Sequence, residues 1–285
     1  MASDRLVSLA TTVYIHEPAK VLYVKASKSA CTTMLWALLE MGAYDPSDLL
    51  ASSQPRIMRS QLVHDAARYP VPTIDQVGTQ LREEALTSAE WMRLAVVRDP
   101  YERLYSAWES RILLRAPGPW LELAQPGLVT DGDRLDVAAS FRTFVAAMAQ
   151  DRGAWQADPH FAQQVHLLAL DEIDYTDLVP TAKLGELFEQ LSQRSGRTVA
   201  PGRSNEGLGF KASEVFDAPT ALLAEDLYAE DFNRLGFARR TTWAPSSVIL
   251  EGPSRKALEM VHARNERLLE LALDLQVARG ERAPL

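Results

Sequence analysis

Residues 28–33 (Lys-Ser-Ala-Cys-Thr-Thr) form the first of two segments whose residue types suit the binding of an anion. A short apolar run at 21–24 precedes them, and an apolar helix-like segment follows. Small residues let backbone N–H groups converge on an anion, and the N-terminus of a following helix adds partial positive charge. The pattern therefore predicts a phosphate-binding loop between a strand and a helix, with ordinary helix capping as the alternative.

The loop differs from the GxxxxGK[ST] motif of nucleoside-triphosphate enzymes. Its lysine, Lys28, stands at the beginning of the loop rather than at its end, and the loop contains no glycine. The magnesium-binding arrangement of those enzymes is therefore not expected. A nucleotide kinase with a related loop remains an alternative function, as does a nucleotide- or glycan-binding module without catalytic activity.

Arg98 is the central residue of the second segment, Leu-Ala-Val-Val-Arg-Asp-Pro-Tyr-Glu-Arg-Leu-Tyr-Ser-Ala-Trp. The apolar run 94–97 predicts a buried strand, and the Asp-Pro pair after Arg98 predicts the start of a helix. Ser106 follows two turns later, about 10 Å along the helix axis. An extended arginine and this serine hydroxyl could therefore meet around one phosphate. The alternative is an ion pair of Arg98 with Asp99 or Glu102.

Together the two segments resemble the sulfotransferases that use 3′-phosphoadenosine 5′-phosphosulfate (PAPS). The carbohydrate branch, sulfotransferase family 2, has a Lys-x-Ala-Cys-Thr loop and a Val-Arg-Asp-Pro-x-Glu-Arg-Leu-x-Ser-Ala-aromatic segment, and both patterns occur here. Residues 158–161 and 228–237 resemble two further segments of that branch. Two positions depart from its pattern, because Ser27 replaces a proline and Glu109 replaces an arginine.

The resemblance implies a binding site for PAPS, whose product would be adenosine 3′,5′-bisphosphate. The residues that it implies for this site are Lys28, Ser29, Ala30, Cys31, Thr32, Thr33, Arg98 and Ser106. Lys28 would neutralise the bridging oxygen as it leaves, while Thr32, Thr33 and backbone amides would hold the 5′-phosphate. Arg98 and Ser106 would bind the 3′-phosphate, which distinguishes PAPS from ATP. Since the sulfate of PAPS is already activated, no metal is expected.

The acceptor hydroxyl of such a reaction benefits from a general base, and histidine is the usual choice near neutral pH. The resemblance suggests a histidine between the two segments, and His64 is the only one there. His160 is the second candidate for the base, and its alternative role is to support the acceptor pocket. His16, His166 and His262 are interpreted as structural.

The composition argues against some classes of binding partner. It has 285 residues and a formal net charge of −8, which argues against a nucleic-acid partner and against a heparin-like polyanionic acceptor. No apolar run is long enough to span a membrane, so we expect a cytoplasmic protein. The resemblance then suggests a hydroxyl of a glycan, glycolipid or glycosylated metabolite as acceptor. The sequence leaves the oligomeric state open.

The alternation of strand and helix patterns predicts an α/β protein with a mostly parallel central sheet flanked by helices, and the resemblance implies the P-loop-like sulfotransferase fold. In such a sheet, both polar segments would follow strands at one edge. We expect a sulfotransferase domain over 1–245 and a helical extension over 246–285 that packs on it, with a coiled coil between chains as the alternative. The expected strands are 21–24, 94–97 and 175–179; the expected helices are 33–41 (ended by Gly42), 100–114, one around 141–148, one around 184–191, 222–235 (ended by Gly236) and 254–279; and a loop or lid is expected over 115–134.

Overall fold

A computed structural model describes residues 10–45, 63–64, 69–116, 126–202, 207–243 and 247–278, the last range with side chains through 271 and at 274. Strands and helices alternate along these residues. The strands are β1 (Val13–His16), β2 (Val21–Val24), β3 (Met92–Val97), β4 (Thr130–Asp131), β5 (Arg134–Asp136), β6 (Asp177–Pro180) and β7 (Ile249–Leu250). The α-helices are α1 (Cys31–Gly42), α2 (Thr79–Thr87), α3 (Pro100–Trp108), α4 (Val137–Gln150), α5 (Arg152–Gln156), α6 (Gln164–Leu168), α7 (Leu184–Ser195), α8 (Ala212–Val215), α9 (Ala218–Leu227), α10 (Ala229–Leu235) and α11 (Gly252–Ala278).

The chain packs into two compact units. The first consists of Met1–Asp99, Ala162–Glu206 and Asn233–Gly236. The second consists of Pro100–Phe161, Gly207–Phe232 and Phe237–Leu285.

The first unit is built on a four-stranded sheet with the order β1-β2-β3-β6. Strands β2, β3 and β6 are parallel, and only the edge pair β1–β2 is antiparallel. All residues of β2 and β3 are buried, which is why both strands, apart from Arg93, consist of apolar residues. Val24 pairs with Ala95, so the carboxyl ends of β2 and β3 lie at one edge of the sheet. The expected parallel α/β architecture is confirmed, with both polar segments following that edge.

Helix α1 covers one face of this sheet with a nearly continuous apolar surface. Met34, Leu35 and Leu38 are fully buried in the same core as Leu187 and Leu191 of α7. Burial of this kind, at about 25 cal/mol per Å² of apolar surface, anchors the helix firmly. The loop that precedes α1 therefore joins two well-packed elements.

The start and the end of α1 both differ from the prediction. The helix begins at Cys31 rather than residue 33, and Gly42 is its last residue rather than the residue that stops it. Ala43, with φ 53°, takes the left-handed conformation that ends the helix. A Cβ at Gly42 would lie 2.2 Å from the ring of Tyr44, so a larger residue there would displace that exposed ring.

The second unit has an aromatic core around α3 and α4. Tyr105 and Trp108 pack against Phe141, which in turn packs edge-on against Phe216. Helix α3 begins at Pro100, as predicted, and continues beyond Trp108 as a π-helical turn over Glu109–Leu113. Such turns are rare and are frequent at functional sites.

The structure differs in detail from the prediction for two segments of the chain. The helix expected at 222–235 is broken into α9 and α10 at Tyr228, whose hydroxyl donates to the carbonyl of Phe161 at 2.9 Å. The expected stop at Gly236 has φ 72°. The loop expected at 115–134 contains β4 and the start of β5, because Leu135 pairs with Leu250 of β7 in a small antiparallel sheet. Residues 117–125 of that loop lie outside the described residues.

Helix α11 is held to the second unit by polar as well as apolar contacts. Leu258 is buried, and His262 Nε2 lies 2.6 Å from the carbonyl oxygen of Leu113. The side-chain amide of Asn265 donates to the carbonyl oxygen of Leu114 at 2.7 Å. Asn265, which interrupts the apolar spacing of the helix, thus has an internal partner. None of the described helices combines the length and apolar character needed to cross a bilayer.

Candidate functional site

The loop between β2 and α1 has an unusual backbone. Lys28 (φ 66°) and Ala30 (φ 56°) both adopt the left-handed region, although neither is glycine. Such conformations cost about 1–3 kcal/mol each and cluster at ligand-binding sites. The Ser29 N–H donates to the carbonyl of Ala26 at 3.4 Å and closes the turn.

The N-terminus of α1 opens directly from this loop. Among the described residues, no side chain caps it, and its first turn contains no acidic residue. The first N–H groups of a helix have no partner within the helix, and they carry partial positive charge. Cys31, Thr32 and Thr33 occupy this first turn, so the expected anion loop and the helix N-terminus coincide.

Gln164, at the start of α6, connects this loop to the segment after β3. Its Oε1 accepts hydrogen bonds from the Ser29 hydroxyl at 2.8 Å and from the Arg98 N–H at 2.9 Å. Its Nε2 donates to the Arg98 carbonyl at 2.8 Å. Ser29 and Gln164 are both fully buried. Sequence reasoning missed Gln164, because a pair of glutamines before a short apolar run matches no binding motif.

Arg98 lies beside the loop at the carboxyl end of β3. Its Nη1 is 3.5 Å from the carbonyl oxygen of Lys28, at the long limit of a hydrogen bond. The side chain is partly exposed. Glu102, one of its two expected alternative partners, accepts from Arg240 at 3.2 Å. The structure therefore places the Arg98 guanidinium beside the backbone of the predicted anion loop.

His64 is the third predicted group in this region. Its Nε2 lies 3.0 Å from the Thr32 hydroxyl. The imidazole is exposed to solvent. A histidine far from the loop in sequence thus reaches the first turn of α1.

The electrostatics of the loop favour negative charge. Burial raises the pKa of the Cys31 thiol, but the hydrogen bond and charge of His64 and the charges of Lys25 and Lys28 outweigh it and lower the pKa to about 6. Burial lowers the pKa of Lys25, whose ammonium lies 5.9 Å from the ring centre of Tyr14. A site that stabilises a thiolate stabilises other anions by the same charges.

The remaining predicted residues, Ser106 and His160, belong to the second unit. Ser106 is a partly buried residue of α3. His160 Nδ1 lies 2.7 Å from Oδ1 of the buried Asp158, and its Nε2 lies 2.6 Å from Nη2 of Arg111. Because a guanidinium can only donate, Nε2 must accept here, and the ring is neutral with its proton on Nδ1.

Comparison with known proteins identifies one family. A family model described as the sulfotransferase family matches residues 11–238, more than three quarters of the chain. The matched range includes both polar segments, His64 and Gln164. Neither the curated proteins nor the solved structures compared with the chain give a match.

Proposed function

Because the chain belongs to the sulfotransferase family, we propose that it transfers the sulfuryl group of PAPS to the hydroxyl of a carbohydrate-containing acceptor. The observation that carries this proposal is the meeting of two cationic segments in one unit. The first turn of α1, which no described side chain caps, follows the loop that contains Lys28, and Arg98 Nη1 is 3.5 Å from the Lys28 carbonyl. A nucleotide with phosphate groups at both ends of its ribose suits such a pair.

Different residues suit the 5′-phosphosulfate end and the 3′-phosphate end of this donor. The first-turn N–H groups of α1 and the hydroxyl groups of Thr32 and Thr33 suit a phosphate oxygen, since they offer several donors around one point. Arg98 suits the 3′-phosphate, because its guanidinium donates two parallel hydrogen bonds to such a group. The role of Ser106 stays a prediction from the resemblance.

The reaction needs one base and one group that stabilises the leaving oxygen. The acceptor oxygen attacks sulfur in line, the bond from sulfur to the bridging oxygen breaks, and its electron pair stays on that oxygen as adenosine 3′,5′-bisphosphate leaves. Lys28 neutralises the charge that develops there. The acceptor hydroxyl takes the place that the Thr32 hydroxyl holds at His64 Nε2 in the free protein, and its proton goes to that nitrogen, while the Thr32 hydroxyl turns to donate to the phosphate. The acceleration of sulfuryl transfer comes from the orientation of the reactants and the stabilisation of charge, rather than from covalent catalysis.

The partners of the two candidate histidines favour His64 as the base. Arg111 already donates to Nε2 of His160, and Asp158 holds its Nδ1. Both ring nitrogens of His160 are thus engaged by other side chains. His64 is exposed, and its Nε2 partner is a hydroxyl that an acceptor hydroxyl could replace. His160 is better suited to orienting Arg111 or supporting an acceptor.

Two measurements test this function. Calorimetry should show that adenosine 3′,5′-bisphosphate binds without metal and much more tightly than ATP with Mg²⁺. The opposite preference would indicate the kinase alternative. Transfer of radiolabelled sulfate from PAPS to a panel of neutral glycans and glycolipids should then yield a sulfated product. Tight bisphosphate binding with no transfer to any member of a broad panel would favour a silent binding module.

A further inference from the structure

Gln164 uses both ends of its amide group to join two segments that are far apart in sequence. Its Oε1 accepts from Ser29 and from the Arg98 N–H, and its Nε2 donates to the Arg98 carbonyl. The three distances lie between 2.8 and 2.9 Å, and the side chain is fully buried. The paired contacts with the Arg98 backbone fix the plane of the amide, and the bond to Ser29 then fixes the loop relative to that plane.

These bonds matter because the alternatives are costly. A buried donor or acceptor that loses its partner pays its full desolvation penalty, so the Ser29 hydroxyl cannot turn away from Gln164 without loss. The loop also holds two left-handed residues, Lys28 and Ala30, which the surroundings must maintain. Gln164 thus connects the loop directly to the backbone of the residue that carries the Arg98 guanidinium.

We propose that Gln164 is a positioning residue, which fixes the anion loop and Arg98 at the separation required by one ligand with two phosphate groups. This inference rests on the proposed function. Gln164 is fully buried and acts through Ser29 and the Arg98 backbone rather than by contact with substrate. A displacement of about 1 Å in such a pair can cost about 100-fold in an oriented reaction, although each half still binds its own phosphate.

The experiment compares three ligands: adenosine 5′-monophosphate, adenosine 3′-monophosphate and adenosine 3′,5′-bisphosphate. In the unaltered protein, the bisphosphate should bind far more tightly than either monophosphate. In Gln164→Leu, this advantage should fall about tenfold, while the affinity for each monophosphate changes less than about threefold. Ser29→Ala, which removes only the bond to the loop, should show a smaller loss of the same kind. If Gln164→Leu does not fold, the bisphosphate advantage measured in Ser29→Ala alone tests the inference.

A matched control separates positioning from stability. Gln156, in α5, donates one hydrogen bond to the carbonyl of Leu227 at 2.8 Å and belongs to the second unit. Gln156→Leu should lower the melting temperature but leave the bisphosphate advantage unchanged. If Gln164→Leu and Ser29→Ala keep that advantage within twofold, Gln164 is merely structural and the inference is overturned. If the unaltered protein shows no bisphosphate advantage, the proposed function itself fails.

Discussion

His64 Nε2 lies 3.0 Å from the Thr32 hydroxyl, so the imidazole stands at the first turn of the helix that follows the anion loop. The two residues are 32 positions apart in the chain. An exposed base next to a cluster of anion-binding groups can accept a proton from an incoming hydroxyl while the loop holds the donor. The Nε2 partner of His64 is a hydroxyl, which an acceptor hydroxyl can replace, whereas the Nε2 partner of His160 is the Arg111 guanidinium.

Replacing His64 should therefore impair the chemical step and not the binding of the donor. In His64→Gln we expect kcat to fall about 10²–10⁴-fold, the usual contribution of a general base. The affinity for adenosine 3′,5′-bisphosphate should stay within about threefold. Steady-state kinetics and calorimetry on the same preparation measure both. If His160→Gln shows the large loss in kcat and His64→Gln does not, the base is His160.

Lys28→Met should lower kcat more than it lowers affinity for the product. Loss of one charge that stabilises a developing anion costs about 10²–10³-fold in rate, because the charge on the bridging oxygen is largest in the transition state. Lys183→Met, at an exposed lysine on a 3₁₀ turn distant in sequence from both segments, is the control and should be silent. Unchanged turnover in Lys28→Met would remove its role at the leaving group.

Arg98→Ala should weaken the binding of the bisphosphate by about 1.5–3 kcal/mol, the contribution of hydrogen bonds to a charged group. Adenosine 5′-monophosphate, which lacks the 3′-phosphate, should bind both proteins equally. Titration calorimetry with the two ligands measures the difference. An equal loss for both would show that Arg98 supports the loop through Lys28 instead of recognising the 3′-phosphate.

The pKa of Cys31 predicts a pH dependence of donor binding. Since its pKa is lowered to about 6, the thiolate predominates above that pH, and a phosphate bound beside it shifts the equilibrium back towards the thiol. Binding then takes up a proton, so affinity should fall as pH rises from 5 to 9, by about tenfold, which corresponds to 1.4 kcal/mol. The difference between the unaltered protein and Cys31→Ala isolates this effect from the ionisation of the ligand.

Alkylation provides an independent measurement, because Cys31 is the only cysteine of the chain. The rate of reaction with iodoacetamide should rise with pH around a midpoint of about 6. Adenosine 3′,5′-bisphosphate should protect the thiol. A midpoint near the value of an ordinary thiol would contradict the influence of His64 and Lys28, and His64→Gln should move it upwards.

The sequence predicts the parts of the site that follow from local patterns and from parallel strands. Continuous apolar runs predict β2 and β3, and their parallel pairing places Lys28 and Arg98 at one edge. Gln164 could not be predicted, because its partners are a buried hydroxyl and the backbone of Arg98, and backbone partners leave no mark on composition or spacing. The same reason explains the break at Tyr228, where a tertiary hydrogen bond interrupts a locally helical run.

Glu109, which departs from the family pattern, has two hydrogen-bond partners within the second unit. Its buried carboxylate accepts from the Tyr105 hydroxyl at 3.2 Å and from the N–H of Leu208 at 2.9 Å. The backbone of Gly207 approaches so closely that a Cβ there would lie 1.8 Å from a carboxylate oxygen. The π-helical turn at Glu109–Leu113 therefore begins at a residue that ties a distant segment to α3.

Gly207→Ala should lower the free energy of unfolding by about 1–3 kcal/mol, because the new methyl group must displace a buried, hydrogen-bonded carboxylate. Gly185→Ala, at a helical position with open space around it, should be neutral or slightly stabilising. Chemical denaturation measures both. In a Glu109→Ala background the added methyl meets no carboxylate, so its cost should fall by more than half. An undiminished cost there would show that the backbone at Gly207, and not the contact with Glu109, requires glycine.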